Sequence, residues 1–123
     1  IIPLNHRPLL TTRGSVFINL LKRIHYLEDY YGDRVSLHYI RDKEGREVDF
    51  VITKNRRVVA LIEVKKSFQA PDASLLYFKK RLNPEVAIQL HTEINRSVFV
   101  KKGVQMIAVQ KFFDQPIHTR KFW

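Results

Sequence analysis

Two carboxylates and a lysine stand where apolar strands should carry no charge. Asp49 lies within Gly45-Arg46-Glu47-Val48-Asp49-Phe50-Val51-Ile52, and Glu63 and Lys65 lie within the run from Val58 to Lys66, VVALIEVKK. A charge buried without a partner is costly, so residues of this type in such runs have partners or chemical work. Two carboxylates close together repel unless a cation joins them. Mg²⁺, or Mn²⁺ in its place, suits such a pair: it takes oxygen ligands, keeps several waters, and is held by one or two carboxylates plus substrate phosphate. A lysine beside the pair would stabilise developing phosphate charge or help position an attacking water. That is the chemistry of metal-assisted phosphodiester hydrolysis.

The elements that must position these groups are two strands and their turn. β-branched and aromatic residues dominate both runs, and the polar Lys54, Asn55, Arg56 and Arg57 separate them. Side chains alternate along a strand, so Glu63 and Lys65 share one face and Val64 takes the other. A three-residue loop, Asn55 to Arg57, pairs Lys54 with Val58, hence Asp49 with Glu63 and Glu47 with Lys65. A two-residue loop pairs Glu63 with Val48 and turns Asp49 to the opposite face. The three-residue loop is the expectation adopted, and it places the two Cβ atoms about 5 Å apart.

Asp49, a hairpin, then Glu63-Val64-Lys65 resembles the signature of the PD-(D/E)xK nuclease superfamily, an Asp on one strand and Glu-x-Lys on the next. More narrowly, GREVDFVI followed by LIEVKKS and preceded by GSVFINLL is similar to the C-terminal nuclease-like domain, of unresolved function, of a prokaryotic family of AAA-type ATPases. The resemblance covers roughly residues 14 to 110. It implies a restriction-endonuclease-like core, an α/β fold with a mixed central sheet flanked by helices in αβββαβ order. It also implies Asp49, Glu63 and Lys65 as catalytic residues, Asp49 and Glu63 as metal ligands, and an ATPase domain in the same polypeptide. The family's first helix carries Gly-x-x-Phe-Glu-Asn, whereas this chain has Gly14-Ser15-Val16-Phe17-Ile18-Asn19. In nuclease relatives a helix-one carboxylate can complete the metal site, so Ile18 counts against catalysis. The same Glu, three residues after Ser15, would also close a capping box. Asp29 is no substitute, since eleven helical residues place it roughly 16 Å away.

The 123 residues make one domain with room for a core, and 45% hydrophobic with 28% charged residues is a soluble globular composition. The chain lacks cysteine, an apolar run of about 18 residues and a signal-peptide pattern, which leaves no disulfide, thiolate zinc site or membrane partner and makes the cytoplasm the default. Ile1-Ile2-Pro3 reads like the interior of something longer, and no phosphate-binding Gly-x-x-x-x-Gly-Lys-Ser/Thr string occurs. A formal charge of +10 favours polyanions. The candidate nucleic-acid contacts are Arg56, Arg57, Lys66, Lys79, Lys80 and Arg81, with DNA favoured over RNA; a merely solvated basic surface is the alternative.

Residues 1–13 read as an extended or irregular lead-in. A helix is expected from about Ser15 to Tyr31, with Phe17, Leu20, Leu21, Ile24, Leu27 and Tyr31 as its buried stripe and Lys22, Arg23, Glu28 and Asp29 outside. Strands are expected at Val35–Ile40, Glu85–Leu90 and Gly103–Val109, and a helix at Ala73–Leu82 between Pro71-Asp72 and Pro84. His91 to Lys102 reads as a connection, with Asn95-Arg96-Ser97 as a formal glycosylation acceptor. Residues 111–123 form an aromatic and basic tail, whose Phe112, Phe113, Phe122 and Trp123 pack on the domain or a neighbour more readily than they stack bases. The five histidines show no metal-ligand spacing.

Three functions follow. One is a Mg²⁺- or Mn²⁺-dependent nuclease; another is a degenerate nuclease fold that recognises nucleic acid without cutting it. The alternative is a non-catalytic protein-docking or oligomerisation domain of the ATPase.

Overall fold

The computed structural model describes residues 2–3, 12–93 and 98–114. The expectations for Asn95-Arg96-Ser97, Phe122 and Trp123 lie outside these residues. The elements are β1 (Ile2–Pro3), α1 (Thr12–Tyr31), β2 (Val35–Arg41), β3 (Glu47–Lys54), β4 (Arg57–Lys65), α2 (Ala73–Leu82), β5 (Val86–His91), β6 (Phe99–Lys101), β7 (Val104–Ala108) and α3 (Val109–Asp114). The strands form one seven-stranded sheet in the order β1-β2-β3-β4-β5-β7-β6. β4, β5 and β7 run parallel, and the other neighbours are antiparallel. The expected α/β class with a mixed sheet flanked by helices is present, and α1 to β5 follow the αβββαβ order.

Strand alternation sends apolar side chains to both faces, and each face is covered. Val16, Leu20, Ile24 and Leu27 of α1, with Phe112 of α3, pack against Phe50, Ile52, Ile62, Val64, Ile88 and Ile107. Leu75 and Phe78 of α2 pack against Val48, Val51, Leu61, Ala87, Val104 and Met106 on the other side. Charged residues inside strands flanked this way lose their water, which makes their partners decisive.

α2 matches its expected span, because its signals are local. The Asp72 side chain accepts from the Ser74 and Leu75 N–H groups, and Asn83 closes the helix at φ 46°. α1 departs from its expectation: it begins at Thr12, and Val16, Leu20, Ile24 and Leu27 are buried while Phe17 and Leu21 are half-buried. Arg23, expected outside, is buried. Its guanidinium donates to the Phe112 and Phe113 carbonyls and lies 5.5 and 5.3 Å from the centroids of their rings, so a tertiary partner overrides the helical pattern. Residues 111–114, read as the start of a tail, belong to α3, with Phe112 buried. β6 replaces part of the expected connection after His91, and β1 forms an edge strand within the expected lead-in.

The hairpin arrives at the expected pairing by another route. The loop has two residues, Asn55 (φ 52°) and Arg56 (φ 70°), the left-handed pair of a type I′ turn. Lys54 therefore pairs with Arg57, and Thr53 with Val58. Ile52 then pairs with Ala60, so Val59 is an extra residue that restores the register. From Ile52 to Phe50 the ladder is the one a three-residue loop would have produced. No helix among the described residues is long and apolar enough to cross a membrane.

Candidate active site

Beyond Phe50 and Ile62 the ladder register leads to Asp49 opposite Glu63. There side chains take over from backbone pairing. The Asp49 N–H donates to Glu63 Oε1 at 3.0 Å, and the Val64 N–H donates to Asp49 Oδ2 at 3.0 Å. β3 also carries one extra residue relative to β2 between Val48 and Val51, so a bulge falls at Asp49 and Phe50. Such a bulge bends the strand and re-aims a side chain. Both carboxylates are buried.

Lys65 lies two residues beyond Glu63 on the same face. Its Nζ is 3.6 Å from Glu63 Oε2 and 2.8 Å from Asp72 Oδ1, so the residue that caps α2 is its closer partner. Burial pulls the Lys65 ammonium down, but the hydrogen bond and charge of Asp72, followed by Glu63, carry it above its ordinary range. Glu63 moves up to about 8, first because burial disfavours its charged form and then because Asp49 repels it, with a further push from Asp72. Glu47 contacts Arg41 at 3.3 Å. Arg46 is held by Asp42 at 2.6 Å and by Glu44.

Three contributors were missed in the linear reading. Arg13 in the first turn of α1 donates from Nε to Asp49 Oδ1 at 2.8 Å. Asp72 was read only as a helix start. Gln89 is buried beside Glu63 in the parallel register, and its carboxamide clamps the loop before α2. Its Nε2 donates to the Gln69 and Ala70 carbonyls, and its Oε1 accepts the Asp72 N–H at 2.8 Å. The available signal was a polar residue inside EVAIQL. Gln89→Leu keeps much of the volume and leaves those groups unpaired, at an expected cost of about 2–3 kcal/mol. Urea unfolding should show a lower midpoint with an unchanged slope. His91, level with Lys65, is buried against Phe68, and burial lowers its imidazole's pKa.

The proposed nucleic-acid contacts are not one cluster. Lys66 is exposed directly after Lys65, at the carboxylate end of β4. Arg56 and Arg57 are exposed at the opposite end of the hairpin, roughly 20 Å from Glu63 over six strand residues. Lys79, Lys80 and Arg81 occupy the last turn of α2, about 10–14 Å along the helix axis from Asp72. The Arg81 guanidinium lies over the Tyr77 ring, 4.7 Å from its centroid, and Lys79 lies close to Gly103.

The donor set fits a hard cation in part. Asp49 and Glu63 offer two carboxylates on adjacent strands, the minimum for an ion that keeps waters and adds phosphate oxygens. Among the described residues no group of three or more His, Asp or Glu is placed to hold a metal together. Ile18, where the resemblance leads one to expect an acid, is 44% exposed and supplies no ligand. The Arg13 contact must yield if Asp49 Oδ1 is to become a ligand.

Comparison with curated proteins found no match, and comparison with solved structures found none. A family model described as "Domain of unknown function (DUF4143)" matches residues 14–112, most of the chain and all of this site except Arg13. The chain therefore belongs to that family.

Proposed function

We propose that the chain is a nuclease-like domain that binds nucleic acid, DNA in preference to RNA, and carries a metal-dependent phosphodiester hydrolysis site. The observation that carries this reading is the buried apposition of Asp49 and Glu63, whose carboxylates accept from the Val64 and Asp49 backbone N–H groups respectively, with Lys65 on the Glu63 face. Asp49 and Glu63 would hold Mg²⁺ or Mn²⁺. When bound, such an ion polarises the phosphoryl oxygen and acidifies water. Lys65, held by Asp72, places a fixed positive charge beside the pair where phosphate charge would develop. Lys66 and the net charge of +10 draw the polyanion. The resemblance of GREVDFVI and LIEVKKS to the C-terminal domain of AAA-type ATPases supports an ATPase domain as partner, working in the cytoplasm.

The test is incubation of plasmid and single-stranded DNA with Mg²⁺ or Mn²⁺, comparing wild type with Lys65→Ala and recording binding in the same samples. Cleavage by wild type that Lys65→Ala loses is the expected result. Salt-sensitive binding without cleavage would reduce the reading to recognition, the form that Ile18 favours. One observation favours the docking reading: Tyr26 and Tyr30 stack on α1 with ring centroids 5.6 Å apart, both exposed. Absence of both cleavage and binding would leave that surface as the better account.

A further inference from the structure

The oxygens of the carboxylate pair are held in different ways. Asp49 Oδ2 accepts the Val64 N–H and Glu63 Oε1 accepts the Asp49 N–H, so backbone amides within the hairpin hold these two. Glu63 Oε2 has Lys65 Nζ at 3.6 Å, from its own strand. Asp49 Oδ1 is different, because its donor is a side chain from another element, 36 residues away. The Arg13 side chain is 49% exposed while that of Asp49 is 5% exposed. Arg13 can therefore exchange this contact for another without breaking the sheet, and its guanidinium already supplies the positive charge that two adjacent carboxylates call for.

A guanidinium also matches phosphate, whose oxygens it can grip through two parallel N–H groups. Here Arg13 meets the carboxylate through Nε. A strand passing over the carboxylate pair would bring phosphates to the exposed end of this side chain.

We propose that Arg13 and a divalent cation are alternative occupants of Asp49 Oδ1, and that a phosphate of bound nucleic acid draws Arg13 away from the carboxylate, so strand binding and metal binding reinforce each other. The inference rests on Asp49 and Glu63 as the metal-holding pair but not on turnover. It makes the first turn of α1 part of the site's control: without a strand the pair is neutralised internally, and with a strand the carboxylate is released to the ion. By linkage the coupling is reciprocal, and the ion must tighten strand binding by the factor by which the strand tightens ion binding.

The experiment measures Mn²⁺ binding by the paramagnetic resonance of free Mn²⁺, and binding of a cleavage-resistant phosphorothioate oligonucleotide by fluorescence anisotropy with and without Mn²⁺. Arg13→Met is expected to bind Mn²⁺ on the order of 10-fold more tightly than wild type. Arg41→Met, which removes an exposed cation that contacts Glu47 and not Asp49, should change affinity by less than about 3-fold. Mn²⁺ should strengthen oligonucleotide binding to wild type more than to Arg13→Met, which keeps only the coupling that the ion's own contact with phosphate supplies. The Arg13 Nε–H resonance should move on Mg²⁺ addition in wild type and stay in place in Asp49→Asn, a check that does not depend on how Arg13→Met folds. Mn²⁺ affinity unchanged or weakened in Arg13→Met, an equal gain in Arg41→Met, or no Mn²⁺ binding by any variant would overturn the proposal. If Arg13→Met gains Mn²⁺ affinity and no variant cleaves, the switch stands and the hydrolysis reading falls. If wild type cleaves and Arg13→Met gains nothing, the reading stands and the switch falls.

Discussion

Replacing Asp49 with alanine is expected, on the proposed reading, to lower metal-dependent strand cleavage by on the order of 10³-fold, because one of the two carboxylates that would hold the ion would supply several kcal/mol of transition-state stabilisation. The substitution also has a structural cost. It leaves the buried Val64 N–H without its acceptor, a loss of about 1–3 kcal/mol, whereas Arg13, half exposed, turns to water. Asp49→Asn separates the two effects: the amide oxygen can still accept from Val64, so stability should stay close to wild type while cleavage falls as far as in Asp49→Ala. Single-turnover cleavage in Mn²⁺, run beside urea unfolding of both variants, makes the comparison. Cleavage retained by Asp49→Asn would show that the ion does not rest on this carboxylate.

Glu63 should make the folded state lose stability as the pH rises. Its carboxyl titrates near 8 in the fold against about 4.5 when unfolded, so between those values the folded protein binds a proton that the unfolded chain has released. Stability from this group is fully present below about 4.5 and is lost as pH climbs through 8, a change of a few kcal/mol. His91 and His38 act with the opposite sign: burial depresses both, so they favour the fold as pH rises through the ordinary imidazole range. The clean measurement is the difference between wild type and Glu63→Gln across pH 5 to 9. The variant keeps an acceptor for the Asp49 N–H and should be increasingly the more stable of the two as pH rises. Mg²⁺ should raise the melting temperature of wild type more at pH 8 than at pH 5, since a bound cation favours the ionised carboxylate. A flat difference profile would show that Asp49 and Glu63 do not share a desolvated site.

Much of the scaffold was legible because its signals are local. Pro71-Asp72 and Pro84 bracket α2, and β-branched runs mark β3, β4, β5 and β7 at close to their observed bounds. Alternation alone put Glu63 and Lys65 on one face, and charge within apolar runs marked Asp49. The hairpin was harder: the loop length was misjudged by one residue, and the bulge at Val59 cancelled the error. No composition rule places a bulge, since its cost is settled by what the displaced side chains pack against.

By itself the sequence determined the types of α1, α2, β2, β3, β4, β5 and β7 and the identity of the charged trio, consequences of residue periodicity and turn chemistry. Tertiary structure alone decided the partners. It brought Arg13 to Asp49 across 36 positions, Asp72 to Lys65, Gln89 to the loop before α2 and Arg23 under α3. Arg13, Asp72 and Arg23 are polar residues whose sequence neighbours suggest an exposed or capping role. Which one turns inward depends on a desolvated group of opposite need arriving from elsewhere in the chain, and that meeting exists only once the sheet has closed.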